Sequence, residues 1–142
     1  MSQTNTQPSV KQDESVFTEY VLGVHIVEYV DDNDETVQYR FEAPDHKDVV
    51  FEDSETALLY ADVYFDANGF VESGTGERGV PPELVQAGKD TLAAYLLTQA
   101  GTDISWIASF YGTKPDKIEQ YISWVQQRAE EVRQKVAEHG VE

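Results

Sequence analysis

The sequence predicts an α+β fold, in which an N-terminal antiparallel β-hairpin or small sheet is covered by one helix and followed by three C-terminal helices. Two observations support this prediction. β-branched and aromatic residues are frequent from residue 17 to residue 43, whereas apolar residues recur at helical spacing after residue 53. The chain has 142 residues, of which 40% are hydrophobic and 11% aromatic. This is enough for one domain, or for two small ones that share a core.

The first half of the chain predicts strands. Phe17 to Val30 is rich in β-branched and aromatic residues, so we expect one long strand there. A turn at residues 31–34 then leads into Thr36–Ala43, where apolar and polar residues alternate as they do in a half-buried strand. Val49–Phe51 predicts a third, short strand.

A single helix is predicted to cover these strands. Asp53 or Ser54 is a suitable N-cap, and the helix is expected to run to Asp66. Asn68-Gly69 should end it, because both residues tolerate a left-handed backbone. Its predicted apolar face consists of Ala57, Leu58, Ala61, Tyr64 and Phe65.

Three helices are predicted in the C-terminal part. The first runs from Pro82 to Gln99, the second from Ile104 to Tyr111 with Thr102 or Asp103 as its cap, and the third from Lys114 to Glu138. The predicted organisation is thus a disordered tail (1–16), a hairpin-plus-helix module (17–70), a Gly-rich linker (71–81) and a helical domain (82–138).

The second and third of these helices contain the residues of a helix-turn-helix motif. Ala108 is the small residue required where the helices cross, and Gly112, four residues later, suits a turn with positive φ. Aliphatic residues stand at the expected buried positions Ile107, Ile118 and Ile122. Thr113 departs from the pattern and is expected to cap the third helix. Residues 82–138 therefore resemble a helix-turn-helix domain of transcription regulators.

The resemblance implies that the helix starting near Lys114 reads double-stranded DNA. Gln120 suits adenine, Lys114 suits guanine or a phosphate, and Lys117, Arg128 and Arg133 would contact the DNA backbone. The residues that it assigns to DNA binding are Lys114, Lys117, Glu119, Gln120, Ser123 and Arg128. Carboxylates at Asp116 and Glu119 oppose this interpretation, since they would lie near phosphates.

Charge is the strongest compositional feature. The net charge is −17, from 27 acidic and 10 basic residues, and these acids are scattered along the chain. The composition resembles that of cytosolic proteins from haloarchaea, because molar salt screens such self-repulsion. Residues 101–142 hold seven acidic and five basic residues, so this part is nearly neutral and could approach a polyanion. A polar N-terminus and the lack of a long apolar run predict a cytoplasmic protein without a membrane span.

The third C-terminal helix also carries a heptad pattern. Its apolar residues are spaced 4-3-4-3-4 and include Ile122, Val125, Ala129 and Val132. Such a seam either packs against the rest of the same chain or forms the contact of a homodimer, which would suit paired DNA half-sites.

No motif predicts catalysis, a metal site or a cofactor. The chain has no Cys, and a G-x-G-x-x-G sequence at residues 74–79 lacks the preceding strand and following helix of a dinucleotide site. We therefore expect a DNA-binding protein rather than an enzyme, with a protein-interaction adaptor as the alternative. A continuous positive strip around Lys114, Lys117 and Arg128 would favour DNA, and interrupted charge would favour the adaptor.

Overall fold

The computed structural model describes residues 14–33, 35–70 and 80–139. It contains a four-stranded antiparallel sheet of order β1-β2-β3-β4, followed in the described residues by five helices, so the predicted α+β class is confirmed. The strands are β1 (Ser15–Glu19), β2 (His25–Val30), β3 (Val37–Glu42) and β4 (Val49–Phe51). The helices are α1 (Ser54–Asp66), α2 (Pro82–Ala87), α3 (Lys89–Leu97), α4 (Ile104–Tyr111) and α5 (Pro115–Glu138).

The prediction of one strand over residues 17–30 is wrong, because the chain reverses within it. Leu22 and Gly23 both have positive φ, at 63° and 74°. The Tyr20 amide donates to the Val24 carbonyl at 2.8 Å, and this bond closes the turn between β1 and β2. β1 begins at Ser15, inside the predicted tail, whereas residues 1–13 lie outside the described part of the chain.

The other two predicted strands are present as β3 and β4. Ile26 of β2 pairs with Phe41 of β3, which in turn pairs with Val49 of β4. Ile26 and Phe41 are fully buried, so this face of the sheet forms one wall of the core.

Helix α1 lies at the centre of the molecule. Asp53 caps it by accepting a hydrogen bond from the Thr56 amide at 2.9 Å, as the sequence predicts. The predicted single apolar face is too narrow, since Tyr60 and Val63 are also fully buried. α1 packs against β3 and β4 on one side and against α3 and α5 on the other, which explains this burial.

The helix predicted from Pro82 to Gln99 is two helices. Gly88 separates α2 from α3 with φ 125° and ψ 164°, a conformation that no helix contains. Residues 71–79 of the predicted linker lie outside the described residues, and so does the G-x-G-x-x-G sequence.

Helix α5 connects two clusters of buried side chains. The larger cluster includes Ile26 and Phe41 of the sheet together with Val125 and Ala129 of α5. The smaller one lies between α3, α4 and α5. The strands and the C-terminal helices therefore share apolar contacts, while the boundary predicted near residues 71–81 stays a prediction.

Candidate nucleic-acid interface

The start of α4 is defined by an acidic cap. Asp103 has an extended backbone, with φ −147°, and its carboxylate accepts a hydrogen bond from the Trp106 amide at 2.8 Å. The other predicted cap, Thr102, instead donates its hydroxyl to the Leu96 carbonyl at 2.5 Å and to the Gln99 carbonyl at 2.8 Å. Thr102 thus caps the C-terminal end of α3, and Asp103 caps the N-terminal end of α4.

A left-handed glycine ends α4. Gly112 has φ 71° and ψ 36°, its amide donates to the Ser109 carbonyl at 3.1 Å, and the Thr113 amide donates to the Ala108 carbonyl at 2.9 Å. This is the positive φ that the sequence predicts. The predicted cap of α5 is wrong by one residue, because Lys114 occupies the N-cap and forms no side-chain cap bond. Pro115 at the first helical position fixes this boundary.

Small and aliphatic residues hold α4 and α5 together. Ile107 and Ile118 are fully buried, and Ala108 is 2% exposed. These three pack with Ala93 of α3 and Tyr121 of α5. The residues that carry the sequence resemblance therefore lie in one cluster between α3, α4 and α5.

Five of the six residues assigned to DNA binding lie on the exposed surface at the start of α5, namely Lys114, Lys117, Glu119, Gln120 and Ser123. The ammonium of Lys117 lies 3.4 Å from the Gln120 side-chain oxygen and 5.5 Å from the centroid of the Trp124 ring. No acidic residue occurs from Gln120 to Ala129, in a chain with 27 of them.

The sixth residue, Arg128, is paired with carboxylates of its own chain, although 42% of its side chain is exposed. Its guanidinium bonds to Asp66 at 2.8 and 2.9 Å and to Asp90 at 2.9 Å. Hydrogen bonds to Asp66 and Asp90 raise the pKa of Arg128 above its usual value. The predicted contact of Arg128 with the DNA backbone stays a prediction and would have to compete with these ion pairs, because this cation already neutralises two carboxylates of its own chain.

The same holds for Arg133. It bonds to Asp62 at 3.0 Å and to Glu130 at 2.9 Å, and its guanidinium lies over the rings of Tyr20 and Phe65 at 4.9 and 5.2 Å. Burial raises the pKa of Asp62 to about 6, although the hydrogen bond from Arg133 opposes this shift. Arg133 thus joins α5 to α1 and to the turn after β1.

The predicted dimer seam packs within the chain. Val125 and Ala129 are fully buried among side chains of the sheet and α1, and Ile122 and Val132 pack against the same cluster. Val125 and Ala129 therefore form internal core contacts, as one explanation of the heptad pattern expects, whereas a dimer contact through the partly buried Ile122 and Val132 stays a prediction.

Sequence reasoning missed a run of aromatic side chains on α4 and α5. Trp106, Phe110 and Trp124 of this run are exposed, Tyr111 is half-buried and Tyr121 is buried. The rings of Trp106 and Phe110 stack at 5.3 Å with an interplanar angle of 6°. Contacts of 5.9, 6.2 and 5.8 Å then lead from Phe110 through Tyr111 and Tyr121 to Trp124. The signal was available, because Trp106 and Phe110 stand four residues apart on the side of α4 opposite Ile107 and Ala108.

A groove lies between α1, α4 and α5. It has a volume of about 780 Å³, and its apolar wall includes Leu58, Ile104 and Ile122. Glu55 and Asp103 supply carboxylates to its lining. Among the described residues, no group of three or more His, Asp or Glu could hold a metal ion, and no helix is long and apolar enough to span a bilayer.

Comparisons with known proteins add nothing to this geometry. No protein-family model, no curated protein and no solved structure matches the chain. Functional inference therefore depends on the chemistry of the described surface.

Proposed function

We propose that this chain is a DNA-binding protein, a transcription regulator of a halophilic archaeon, that reads duplex DNA with the first half of α5. One observation carries the proposal. The exposed side chains of α5 that follow the left-handed turn at Gly112 include Lys117, Gln120 and Ser123 beside the carboxylates of Asp116 and Glu119, and no acidic residue occurs from Gln120 to Ala129. Elsewhere the chain is strongly acidic.

The side chains of this face suit base recognition. The Gln120 amide can donate to and accept from an adenine edge, and the Ser123 hydroxyl can pair with several bases. Lys114 and Lys117 lie at the start of the helix, where they suit phosphates flanking the groove. The small residue Ala108 and the turn at Gly112 support the same interpretation, because they allow α4 to pack closely across α5.

The internal ion pairs of Arg128 and Arg133 leave this surface with two lysines. Affinity for DNA should then depend weakly on salt, with a slope of log affinity against log salt no steeper than about −2. Asp116 and Glu119 should make it shallower still. Uncharged contacts to base edges are the main source of specificity under these conditions, since screening in molar salt weakens phosphate contacts.

The test is selection from a random pool of duplex DNA in molar KCl, followed by titration of the enriched sequence between about 0.5 and 3 M KCl. Gln120→Ala should lower affinity for the enriched sequence about tenfold or more. Lys117→Gln should weaken binding to all sequences to a similar degree, whereas Lys135→Gln, a matched change in the last turn of the same helix, should leave affinity unchanged.

Failure to enrich any sequence would remove the proposal. Equal losses of DNA affinity in Lys117→Gln and Lys135→Gln would also remove the proposal, because binding would then depend on the net charge of the chain and not on this face of α5. A slope much steeper than −2 would retain DNA binding but locate the phosphate contacts elsewhere on the protein.

A second candidate function is a protein-interaction adaptor, and two observations favour it. The positive charge around Lys114 and Lys117 is interrupted by Asp116 and Glu119, and the groove between α1, α4 and α5 combines an apolar wall with carboxylates. This groove suits a cationic amphipathic helix. A labelled Leu- and Lys-rich helical peptide should then bind, and Glu55→Gln should weaken it. If the peptide does not bind, this candidate is excluded.

A further inference from the structure

The groove between α1, α4 and α5 marks a place where the helices pack incompletely. α1 packs against α3 and α5, but it makes almost no contact with α4. Leu58 of α1, Ile104 of α4 and Ile122 of α5 line the groove, and all three are half-buried. Each of these aliphatic side chains therefore keeps apolar surface that the described part of the chain does not cover.

The groove also lies at the boundary between the two buried clusters. Leu97 and Ile122 pack against both clusters, and both side chains line the groove. A molecule bound there would contact the larger cluster on one side and α4 on the other. It would thereby connect α1 to α4, two helices that the fold itself hardly joins.

The size of the groove favours a small molecule. Its volume of about 780 Å³ lies within the range of roughly 300–1,000 Å³ that is typical of small-molecule sites. A helix about 10 Å across would fill this volume with about two turns, so most of a longer peptide helix would lie outside it.

The polar lining indicates the charge of the ligand. Glu55 and Asp103 contribute carboxylates, and none of the residues that line the groove is basic. Asp62 and Asp66 pair with arginines, whereas neither Glu55 nor Asp103 forms an ion pair with a described residue. A cation is therefore attracted to this lining, and an anion is repelled.

The helix termini at the groove do not neutralise these carboxylates. Asp103 caps α4, and Glu55 lies in the first turn of α1. The N-terminus of a helix carries about half of one positive charge, which is less than the full negative charge of one carboxylate. The groove therefore remains negative.

We propose that this groove binds a small organic amine. Its aromatic or branched hydrocarbon part contacts Leu58, Ile104 and Ile122, and its ammonium group lies beside Glu55. No residue of the proposed reading face lines the groove. The proposal does not depend on DNA binding, because its test contains no nucleic acid, and it needs no peptide partner.

Two fluorescent probes of opposite charge test the site. Dansylcadaverine has a naphthalene ring and a primary ammonium group, whereas dansylglycine has the same ring and a carboxylate. In a titration of the purified full-length chain in molar KCl, only dansylcadaverine should show a saturable increase in emission, with one site per chain. The ion pair with Glu55 persists at this salt concentration, because screening acts over distances greater than about 3 Å.

Matched variants locate the site. Ser105 is exposed and lines the groove, so Ser105→Phe should occupy part of it and weaken dansylcadaverine binding about tenfold or more. Ser109→Phe, one turn further along α4 and outside the lining, should leave the affinity unchanged. Glu55→Gln should weaken binding about threefold, as the loss of a partly exposed ion pair does. Glu83→Gln is the same change in the first turn of α2 and should have no effect.

Three results would overturn the proposal. One is the lack of saturable dansylcadaverine binding at millimolar concentration. Another is equal affinity for the two probes, because the carboxylates would then have no role. The third is an equal effect of Ser105→Phe and Ser109→Phe, which would place the probe elsewhere on α4. Thermal melts check the fold of both serine variants, and if Ser105→Phe is unstable, equal affinities of Glu55→Gln and Glu83→Gln would reject the site instead.

Discussion

Gly112, which joins α4 to α5, allows the backbone of the turn to be tested by a graded series of substitutions. Its φ of 71° and ψ of 36° lie in the left-handed region. A Cβ atom added at this position would meet no described atom within 4 Å. For Gly112→Ala, the loss of stability therefore contains no clash with neighbouring atoms, and it reports the backbone conformation together with the change in the unfolded chain.

The size of the effect follows from this geometry. A residue with a Cβ atom in the left-handed region costs about 1–2 kcal/mol, and alanine recovers about 0.4–1 kcal/mol by restricting the unfolded chain. We expect Gly112→Ala to lower the free energy of unfolding by about 1 kcal/mol and Gly112→Val by about 2 kcal/mol, because a β-branched residue is strained further. Gly112→Asn should cost less than either, since asparagine tolerates this region.

Urea unfolding in molar KCl measures the three differences on one scale. The expected order of stability is Gly, then Asn, then Ala, then Val, with unchanged dependence on urea concentration. If Asn and Val cost the same, the penalty does not arise from positive φ. If all three variants are as stable as the wild type, the turn between α4 and α5 has another conformation in solution.

Two further predictions concern residues inside the protein. Val125→Ala should lower the free energy of unfolding by about 2 kcal/mol and leave any dimerisation of the folded protein unchanged, because Val125 is fully buried in its own chain. A loss of stability that occurs only at low protein concentration would contradict this prediction. Burial raises the pKa of Asp62 from 3.8 to about 6, so its stabilising contribution is complete below pH 3.8 and is lost as pH rises through 6. Wild-type stability relative to Asp62→Asn should therefore fall by about 2 kcal/mol between pH 4 and 7, and a rise would indicate that Arg133 outweighs burial.

The sequence correctly predicted those helix ends that depend on only a few neighbouring residues. Asp53 and Asp103 cap their helices as expected, and Gly112 ends α4 with the expected positive φ. Each of these positions depends on a few neighbouring residues, so the sequence contains the required information.

Two breaks in regular structure were missed for different reasons. Leu22 adopts a φ of 63° that its side chain disfavours, and the run of strand-forming residues around it concealed the turn. Gly88 separates α2 from α3 although an isolated glycine is tolerated within a helix.

The heptad seam shows a further limit of pattern reasoning. A spacing of 4-3-4-3-4 requires only that one face of α5 be covered, and it does not specify whether the cover comes from the same chain or another. The sheet and α1 supply that cover here, since Val125 and Ala129 belong to the same buried cluster as Phe41.

The distribution of cations explains why charge counts alone were misleading. Residues 101–142 are nearly neutral, but Arg128 and Arg133 form ion pairs with carboxylates of α1, α3 and α5. In the same way, Arg40 of the sheet pairs with Glu42 and with Glu14. The planar guanidinium suits such bridging, because it can bond two carboxylates at once. These arginines therefore stabilise internal contacts, which leaves Lys114 and Lys117 as the cations of the proposed reading face. A polyanion that binds there must be recognised mainly by uncharged groups, and for this reason the salt slope, rather than the affinity alone, tests the proposed function.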